Sequence, residues 1–245
     1  EKINREIFNQ QASTTIEYGM VHGLVPFSIK GAIWYQGESN RHDGMLYHEK
    51  MKALIAGWRK IFQQPNLPFY YVQLAPFIYK NDPTDVLPKL WESQLATLSV
   101  PHTGMAVITD IANLQDIHPK NKQDVGLRLA LWALAKDYDR DVVYSGPLYK
   151  SMKVEGDKVR LFFDHADGLK SSDGKPLTWF TIAGEDGEFV EATARVDGDT
   201  IVVSSEEVSQ PKAVRFGWHE EAEPNLVNGA GLPASPFRTD GPLAD

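Results

Sequence analysis

The sequence contains no cysteine, and this absence excludes several kinds of chemistry at once. Without a thiol there is no disulfide, no thiolate ligand for a metal and no cysteine nucleophile. Long apolar runs are also missing, because the longest fall far short of the roughly 18 residues that a membrane-spanning helix needs. We therefore predict no membrane insertion. The compartment is not fixed, since a chain without cysteine suits the cytosol and the bacterial periplasm alike.

An excess of basic residues is lacking as well. The 245 residues carry a net charge of −8, without any long run of Lys or Arg. Nucleic acids and anionic membrane surfaces attract basic patches, so neither is expected as a partner. What the chain does have is 42% hydrophobic and 11% aromatic residues, which is enough for a packed core.

The first residues, EKINREIFNQQAS, lack both an initiating methionine and the apolar stretch of a signal peptide. They have the polar character of an exposed helix. We expect the chain to be a processed, truncated or internal piece of a longer protein.

The two halves of the chain follow different patterns. Residues 1–144 alternate apolar segments with helical periodicity, which predicts strands within 30–36, 68–77 and 103–111 and helices over 47–62, 87–100 and 119–138. Such alternation is typical of a parallel sheet covered by helices. Residues 145–245 show alternating segments around Gly-Asp turns and no helical period, which predicts an antiparallel β-domain. Its Gly- and Pro-rich end is expected to lie extended over the surface.

Polar residues follow the predicted strands of the first half, where ligands bind in sheets of this kind. The third strand leads through Asp110 to Asp116 and His118, and Gln73 lies near the end of the second. The first strand is followed by an uninterrupted polar group: Gln36, Gly37, Glu38, Ser39 and Asn40.

These residue types suit acyl transfer, which needs a nucleophile, a base, a group that orients the base, and donors for the oxyanion. His118 suits the base, and Asp116 or Asp110 could fix its tautomer. The side-chain amides of Gln36 and Asn40, and the backbone at Gly37, suit the oxyanion hole. Glu38 only accepts hydrogen bonds when ionised, so we expect it to organise the loop.

Other interpretations stay open at this point. His118 could be simply solvated, Asn40 could cap a helix, and Asp116 could be the N-cap of the helix near Pro119. Glu38 with Asp110 or Asp116 could form the carboxylate pair of a glycosidase. Trp179 and Trp218 could hold sugar in a non-catalytic binding module. The remaining histidines show no spacing typical of metal ligands, so no metal site is predicted: His22, His42, His48 and His102.

Two stretches, GAIWYQGESN and DIHPKNKQDVGLRLALWAL, resemble the sialate O-acetylesterase family, a branch of the SGNH (GDSL-type) hydrolases that remove acetyl groups from sugars. Similarity continues through FYYVQLAPF, YSGPLYKSMKVEG and GLPASPFRTD, and so extends over nearly the whole chain after residue 20.

The resemblance implies a three-layer α/β/α hydrolase domain over residues 1–144, incomplete on its N-terminal side, and a β-domain over 145–245. It implies a periplasmic or secreted enzyme without metal or cofactor, acting on an O-acetylated sugar through Ser–His chemistry. His118 would be the base, Asp116 its orienting acid and Gln36 the side-chain donor to the oxyanion. Gly37, Glu38 and Asn40 would shape the site.

Two features depart from the family pattern. Many SGNH hydrolases place the acid three residues before the histidine, but Gln115 stands there, so a Ser–His dyad is an alternative to orientation by Asp116. The family's nucleophilic serine lies in an upstream motif like GQSNM, which this sequence lacks. We expect that serine to come from an N-terminal segment or a separate chain. Ser39 is the alternative, but Arg41 replaces the second glycine of a G-x-S-x-G elbow, and NRHDGM is predicted to be a loop.

Overall fold

A three-stranded parallel sheet, with its strands side by side in chain order, lies at the centre of the first half of the chain. The computed structural model describes residues 15–25 and 27–241, so the predicted helix-like start lies outside the described residues. The strands are β1 (Ala32–Trp34), β2 (Phe69–Val72) and β3 (Thr103–Ala106), and the α-helices are α1 (Leu46–Ile61), α2 (Val86–Ala96) and α3 (Lys122–Asp137). The predicted strand–helix alternation is confirmed.

Strand β2 is buried on both faces because helices pack on each side of the sheet. Phe69 and Tyr71 contact the apolar side chains of α1 and α2, whereas Tyr70 and Val72 face those of α3. Successive side chains of a strand point to opposite faces, so this continuous apolar strand serves two cores.

The ends of several elements differ from the prediction. Strand β3 stops at Ala106, and the chain then forms a short 3₁₀-helix at Thr109–Ile111. Helix α3 begins at Lys122, because the Asn121 side chain accepts a hydrogen bond from the Asp124 N–H at 3.1 Å and caps the helix there. The predicted helical turn at Pro119 and an N-cap at Asp116 are therefore both wrong.

The second half of the chain is antiparallel throughout its described residues, as predicted. The strands are β4 (Leu148–Glu155), β5 (Lys158–Asp164), β6 (Lys170–Ser171), β7 (Phe180–Ala183), β8 (Phe189–Glu191), β9 (Thr193–Asp197), β10 (Thr200–Ser204), β11 (Ala213–Phe216), β12 (Leu226–Val227) and β13 (Phe237–Arg238). One four-stranded sheet has the order β4-β5-β10-β9, a second has the order β13-β11-β7-β8, and β12 pairs with β6. Within the described residues, no helix is long and apolar enough to cross a membrane.

The C-terminal segment does not lie over the surface, and that prediction is wrong. Ser235 is buried and shares hydrogen bonds with the Gln73 side chain, the shorter at 2.9 Å. Arg238 pairs with both carboxylate oxygens of Glu92 on α2, at 2.8 and 2.9 Å. Contacts of this kind tie the end of the β-rich half to the α/β half.

Candidate active site

Two loops at the carboxyl ends of β1 and β3 meet around one cavity of about 390 Å³. The β1 loop contributes Gln36 and Glu38 to its lining, and the β3 loop contributes His118. Parallel strands end at the same edge of a sheet, which explains why residues 82 positions apart share a cavity. The structure thus brings together the two residues predicted as base and as oxyanion donor.

The Gln36 side chain is held by a chain of hydrogen bonds. Its Nε2 donates to Asn40 Oδ1 at 2.7 Å, and Asn40 Nδ2 donates to Asp43 Oδ2 at 2.7 Å. Asp43 also accepts a hydrogen bond from Lys50 Nζ at 2.6 Å. An ionised carboxylate only accepts hydrogen bonds, so it fixes which end of Asn40 faces Gln36. Gln36 must then direct its amide nitrogen toward Asn40, and the second N–H of that nitrogen is available to a ligand.

Asp43 keeps its charge because the hydrogen bond from Lys50, followed by that from Asn40, lowers the pKa of its carboxyl below the usual value. A group with a lowered folded-state pKa stabilises the fold above its unfolded-state pKa and loses that effect as pH falls through the folded-state value. We therefore expect Asp43→Asn to lower the free energy of unfolding at pH 7. The difference from wild type should shrink in acid, below about pH 4. Denaturation at a series of pH values measures it, and a difference that persists undiminished to about pH 2 would contradict this role.

Gly37 has a backbone conformation that other residues avoid, with φ at +153°. A Cβ there would lie 3.2 Å from Leu74 Cδ1 and 3.3 Å from the Tyr47 hydroxyl. Its N–H donates to Glu38 Oε2 at 3.0 Å, so Glu38 organises the loop and occupies this backbone donor.

We expect Gly37→Ala to destabilise the protein by about 1–3 kcal/mol, because alanine meets both an unfavourable φ and close neighbours. Gly57→Ala is the matched control. Gly57 lies within α1, and a Cβ there would meet no atom within 4 Å. This control should stabilise the protein by roughly 0.5–1 kcal/mol, because alanine favours the helix. Chemical denaturation measures the free energy of unfolding of both variants. Equal effects of the two changes would refute a specific requirement for glycine at position 37.

Tyr47, on α1, supports the same loop and was not found from the sequence. Its hydroxyl donates to the Gln36 carbonyl oxygen at 2.8 Å. Burial raises the pKa of Tyr47 to about 12, so the hydroxyl stays protonated as a donor at neutral pH. Its position in the apolar pattern of a helix predicts only a core residue. That pattern does not indicate that its hydroxyl bonds to the Gln36 loop.

His118 is exposed at the mouth of the cavity. Its backbone N–H donates to Asp116 Oδ1 at 3.0 Å, so Asp116 closes a tight turn that fixes the backbone of His118. Among residues 15–25 and 27–241, the imidazole ring has neither a hydrogen bond nor an ion pair with another side chain. Orientation of the ring by Asp116 therefore stays a prediction.

Asp110, the other predicted orienting acid, is paired elsewhere. Both of its carboxylate oxygens accept hydrogen bonds from Arg128 on α3, each at 2.6 Å. Arg128 also donates to the Val107 carbonyl oxygen at 2.7 Å. This buried arginine fixes the start of the loop that carries His118. No sequence pattern indicates this pair, because it depends on how α3 packs against β3.

The other predicted residues lie outside the cavity lining. Ser39 is exposed on a 3₁₀-helix, Glu38–Asp43, where a loop was predicted. Gln73 is fully buried and bonds to Ser235 and to the Trp91 carbonyl oxygen, so it supports the interior of the molecule. Asn40 bonds to the Gln36 side chain.

The cavity also has members that the sequence analysis missed: Tyr35, Ile117 and Lys122. Lys122 Nζ lies 4.5 Å from the centre of the Tyr35 ring, in a cation–π contact. Burial, and to a smaller extent the charge of Glu38, raise the pKa of Tyr35 to about 12. Glu38 is the one carboxylate among the described lining residues, and no cluster suited to a metal ion occurs in the described part of the chain.

Comparison with known proteins identifies the family. The family described as carbohydrate esterase, sialic acid-specific acetylesterase, matches residues 9–134. Rattus norvegicus sialate O-acetylesterase is 28% identical over 222 residues, which are 81% of this chain and 41% of the relative. The Homo sapiens enzyme of that name is 33% identical over 154 residues, 55% of this chain and 29% of the relative.

A solved structure gives the same result. The crystal structure of a novel carbohydrate acetylesterase from Xanthomonas citri superimposes with a TM-score of 0.89 at 45% identity, over 94% of this chain and 55% of that chain. This chain therefore spans only part of the length of its relatives. The family match takes in both the Gln36 loop and the His118 loop and more than half of the sequence. The chain belongs to the carbohydrate esterase family of sialic acid-specific acetylesterases.

Proposed function

We propose that the protein carrying this chain is a serine-type carbohydrate esterase that removes O-acetyl groups from sialic acid or related sugars. The observation that supports this most strongly is the shared cavity of Gln36 and His118 at the carboxyl edge of the parallel sheet. A base and an oriented amide donor on one cavity are two of the groups that acyl transfer requires.

The proposed reaction has two steps. A serine hydroxyl transfers its proton to neutral His118 while its oxygen attacks the acetyl carbonyl carbon, and the carbonyl electrons move to an oxyanion that accepts the free N–H of Gln36. Collapse breaks the ester bond, and the sugar oxygen takes the proton from His118. Water, deprotonated by His118, then attacks the carbonyl carbon of the acyl-serine. Collapse of this second oxyanion breaks the bond to the serine oxygen, which takes the proton back from His118, and the acetyl group leaves as acetic acid, which ionises to acetate.

We infer that the nucleophilic serine lies on an upstream segment or a separate chain. Strand β1 is at the edge of the described sheet, and its Ile33 side chain is 71% exposed. A strand added in parallel beside β1 would end next to the Gln36 loop, because parallel strands end at the same edge. That strand would complete a three-layer α/β/α domain, with residues 1–144 as the part of that domain in this chain and 145–245 as the attached β-domain.

Acetate release from O-acetylated sialic acid and from nitrophenyl acetate tests this function. The longest natural form of the protein should hydrolyse both, while residues 1–245 alone should show little turnover. Full turnover by residues 1–245 alone would contradict a nucleophile outside this chain and would make Ser39 the first candidate. No turnover of any acetylated sugar by the longest form would refute the esterase. A periplasmic or secreted location stays a prediction from the family resemblance.

A glycosidase is less well supported. It needs two carboxylates that face one substrate. Among the described residues, Glu38 is the only carboxylate that lines the cavity. Asp110 is paired with Arg128, and Asp116 holds the backbone of His118.

A further inference from the structure

A second and larger cleft, of about 760 Å³, lies on the β-rich half of the chain. Trp179, Trp218 and His219 line one part of it. The Trp179 side chain is 39% exposed, and its ring centre lies 5.8 Å from that of His219. Exposed aromatic faces are poorly hydrated and carry partial negative charge, so they pack well against the C–H face of a pyranose ring.

Polar side chains from three adjacent strands line the rest of the cleft. Thr181 on β7 lies directly opposite Glu191 on β8 and Arg215 on β11, so the three side chains form a row on one face of the sheet. Between them they offer a carboxylate, a hydroxyl and a guanidinium group. His219 Nδ1 accepts the Glu221 N–H at 3.2 Å, which leaves Nε2 of the neutral ring as a donor.

The backbone of Trp179 is strained, although its side chain is exposed and is not part of the core. Its φ is +64°, which is rare for a bulky side chain and costs of order 1–3 kcal/mol. Hydrogen bonds on both sides hold it there, because its carbonyl oxygen accepts the Gly217 N–H at 2.9 Å and the Thr178 N–H donates to Asn225 at 3.1 Å. Such strain is found where a side chain must be presented to a ligand.

The charges of the cleft favour a neutral ligand. Arg215 is paired with Asp240 through two hydrogen bonds, at 3.0 and 2.5 Å. Arg238, whose guanidinium lies 5.0 Å from the Trp218 ring, is paired with Glu92. The arginines at the cleft are thus already neutralised by carboxylates, whereas Glu191 can accept hydrogen bonds from sugar hydroxyls.

We propose that this cleft is a second saccharide-binding site, which binds neutral pyranose units of an oligosaccharide, separate from the cavity that contains His118. Trp179 and Trp218 would form the stacking surface, and Glu191, Thr181 and His219 would bond to the hydroxyls.

One loop contacts both the cleft and the candidate active site. Thr84 lines the cleft, and its carbonyl oxygen accepts the Glu220 N–H at 2.9 Å. Earlier in the same loop, the Tyr79 ring lies 4.6 Å from the guanidinium of Arg41, on the 3₁₀-helix that begins at Glu38. A glycan bound in the cleft would therefore lie beside the loop that contacts the β1 loop of the candidate active site.

Calorimetric titration with neutral tetrasaccharides of β-linked glucose, xylose and galactose tests the proposal, with N-acetylneuraminic acid as an anionic comparison. The titrations use the whole protein with His118→Asn, so that binding is measured whether or not the esterase proposal holds. We expect saturable binding of at least one neutral tetrasaccharide, weaker binding of N-acetylneuraminic acid, and at least tenfold loss of affinity in Trp179→Ala and Trp218→Ala. Tyr138→Ala is the control and should leave affinity unchanged, because Tyr138 is an exposed aromatic residue directly after α3 and does not line the cleft.

Trp179→Gly separates a binding role from a structural one. Glycine accepts the positive φ without strain, so this variant should lose saccharide binding without a fall in unfolding temperature. A clear fall in unfolding temperature would assign Trp179 to the core and overturn its role. The proposal also fails if no neutral tetrasaccharide binds, or if binding survives both tryptophan variants.

Discussion

Replacing His118 with asparagine is expected to lower kcat/KM for acetyl release about 10³-fold in the protein that carries this chain. Asparagine has a similar size but cannot accept a proton from the serine or return one to the sugar oxygen. Initial rates on O-acetylated sialic acid and on nitrophenyl acetate measure the loss. Both substrates should be affected, because the base acts on the acetyl group and not on the sugar.

His102→Asn is the matched control for this change. His102 precedes β3, at the amino edge of the sheet, whereas His118 follows β3 at the carboxyl edge. Asparagine tolerates the positive φ of 58° at His102, so the control should fold and keep its activity. A His118→Asn protein with wild-type unfolding temperature and more than about a tenth of wild-type activity would refute the general-base role.

Replacing Gln36 with leucine is expected to lower kcat by about 10²–10³ and to leave KM nearly unchanged. The free N–H of Gln36 would bond most strongly to the oxyanion, which exists only as the reaction proceeds. Steady-state kinetics separate the two parameters. Gln64→Leu is the control, since Gln64 bonds to the Ile29 carbonyl oxygen, in the segment that precedes β1.

Asn40 gives a second test of the same donor. It touches Gln36 and Asp43, and it lies outside the cavity lining. Asn40→Leu should therefore lower kcat by less than Gln36→Leu, and the double variant should be no worse than Gln36→Leu alone. Additive losses would mean that Asn40 acts on the substrate directly. A rise in KM with unchanged kcat in Gln36→Leu would mean that Gln36 binds the ground state.

Much of the fold could be predicted because the decisive information is local. The apolar run Phe69–Val72 identifies a strand buried on both faces, and the spacing of Met51 and Ile55 identifies the apolar face of α1. Gln36 and His118 could be found for a related reason: both stand in segments that follow strands of the parallel sheet, where such sheets bind ligands.

What could not be predicted depends on contacts that are distant in sequence. The composition of the C-terminal segment is typical of a surface coil, yet Ser235 and Arg238 bond to Gln73 and Glu92. The pairing of Asp110 with Arg128 likewise exists only once α3 has packed on the sheet. Sequence patterns report the burial of a residue but not the partner of its side chain.

Covalent labelling tests the central claim most directly: that His118 and Gln36 serve a serine that this chain does not supply. The longest natural form of the protein is treated with a fluorophosphonate, which reacts with activated serines, and the modified residue is found by mass spectrometry of its peptides. We predict an adduct on a serine outside residues 1–245, formed far more slowly in His118→Asn. An adduct on Ser39, or on any other serine within residues 1–245, would contradict the account.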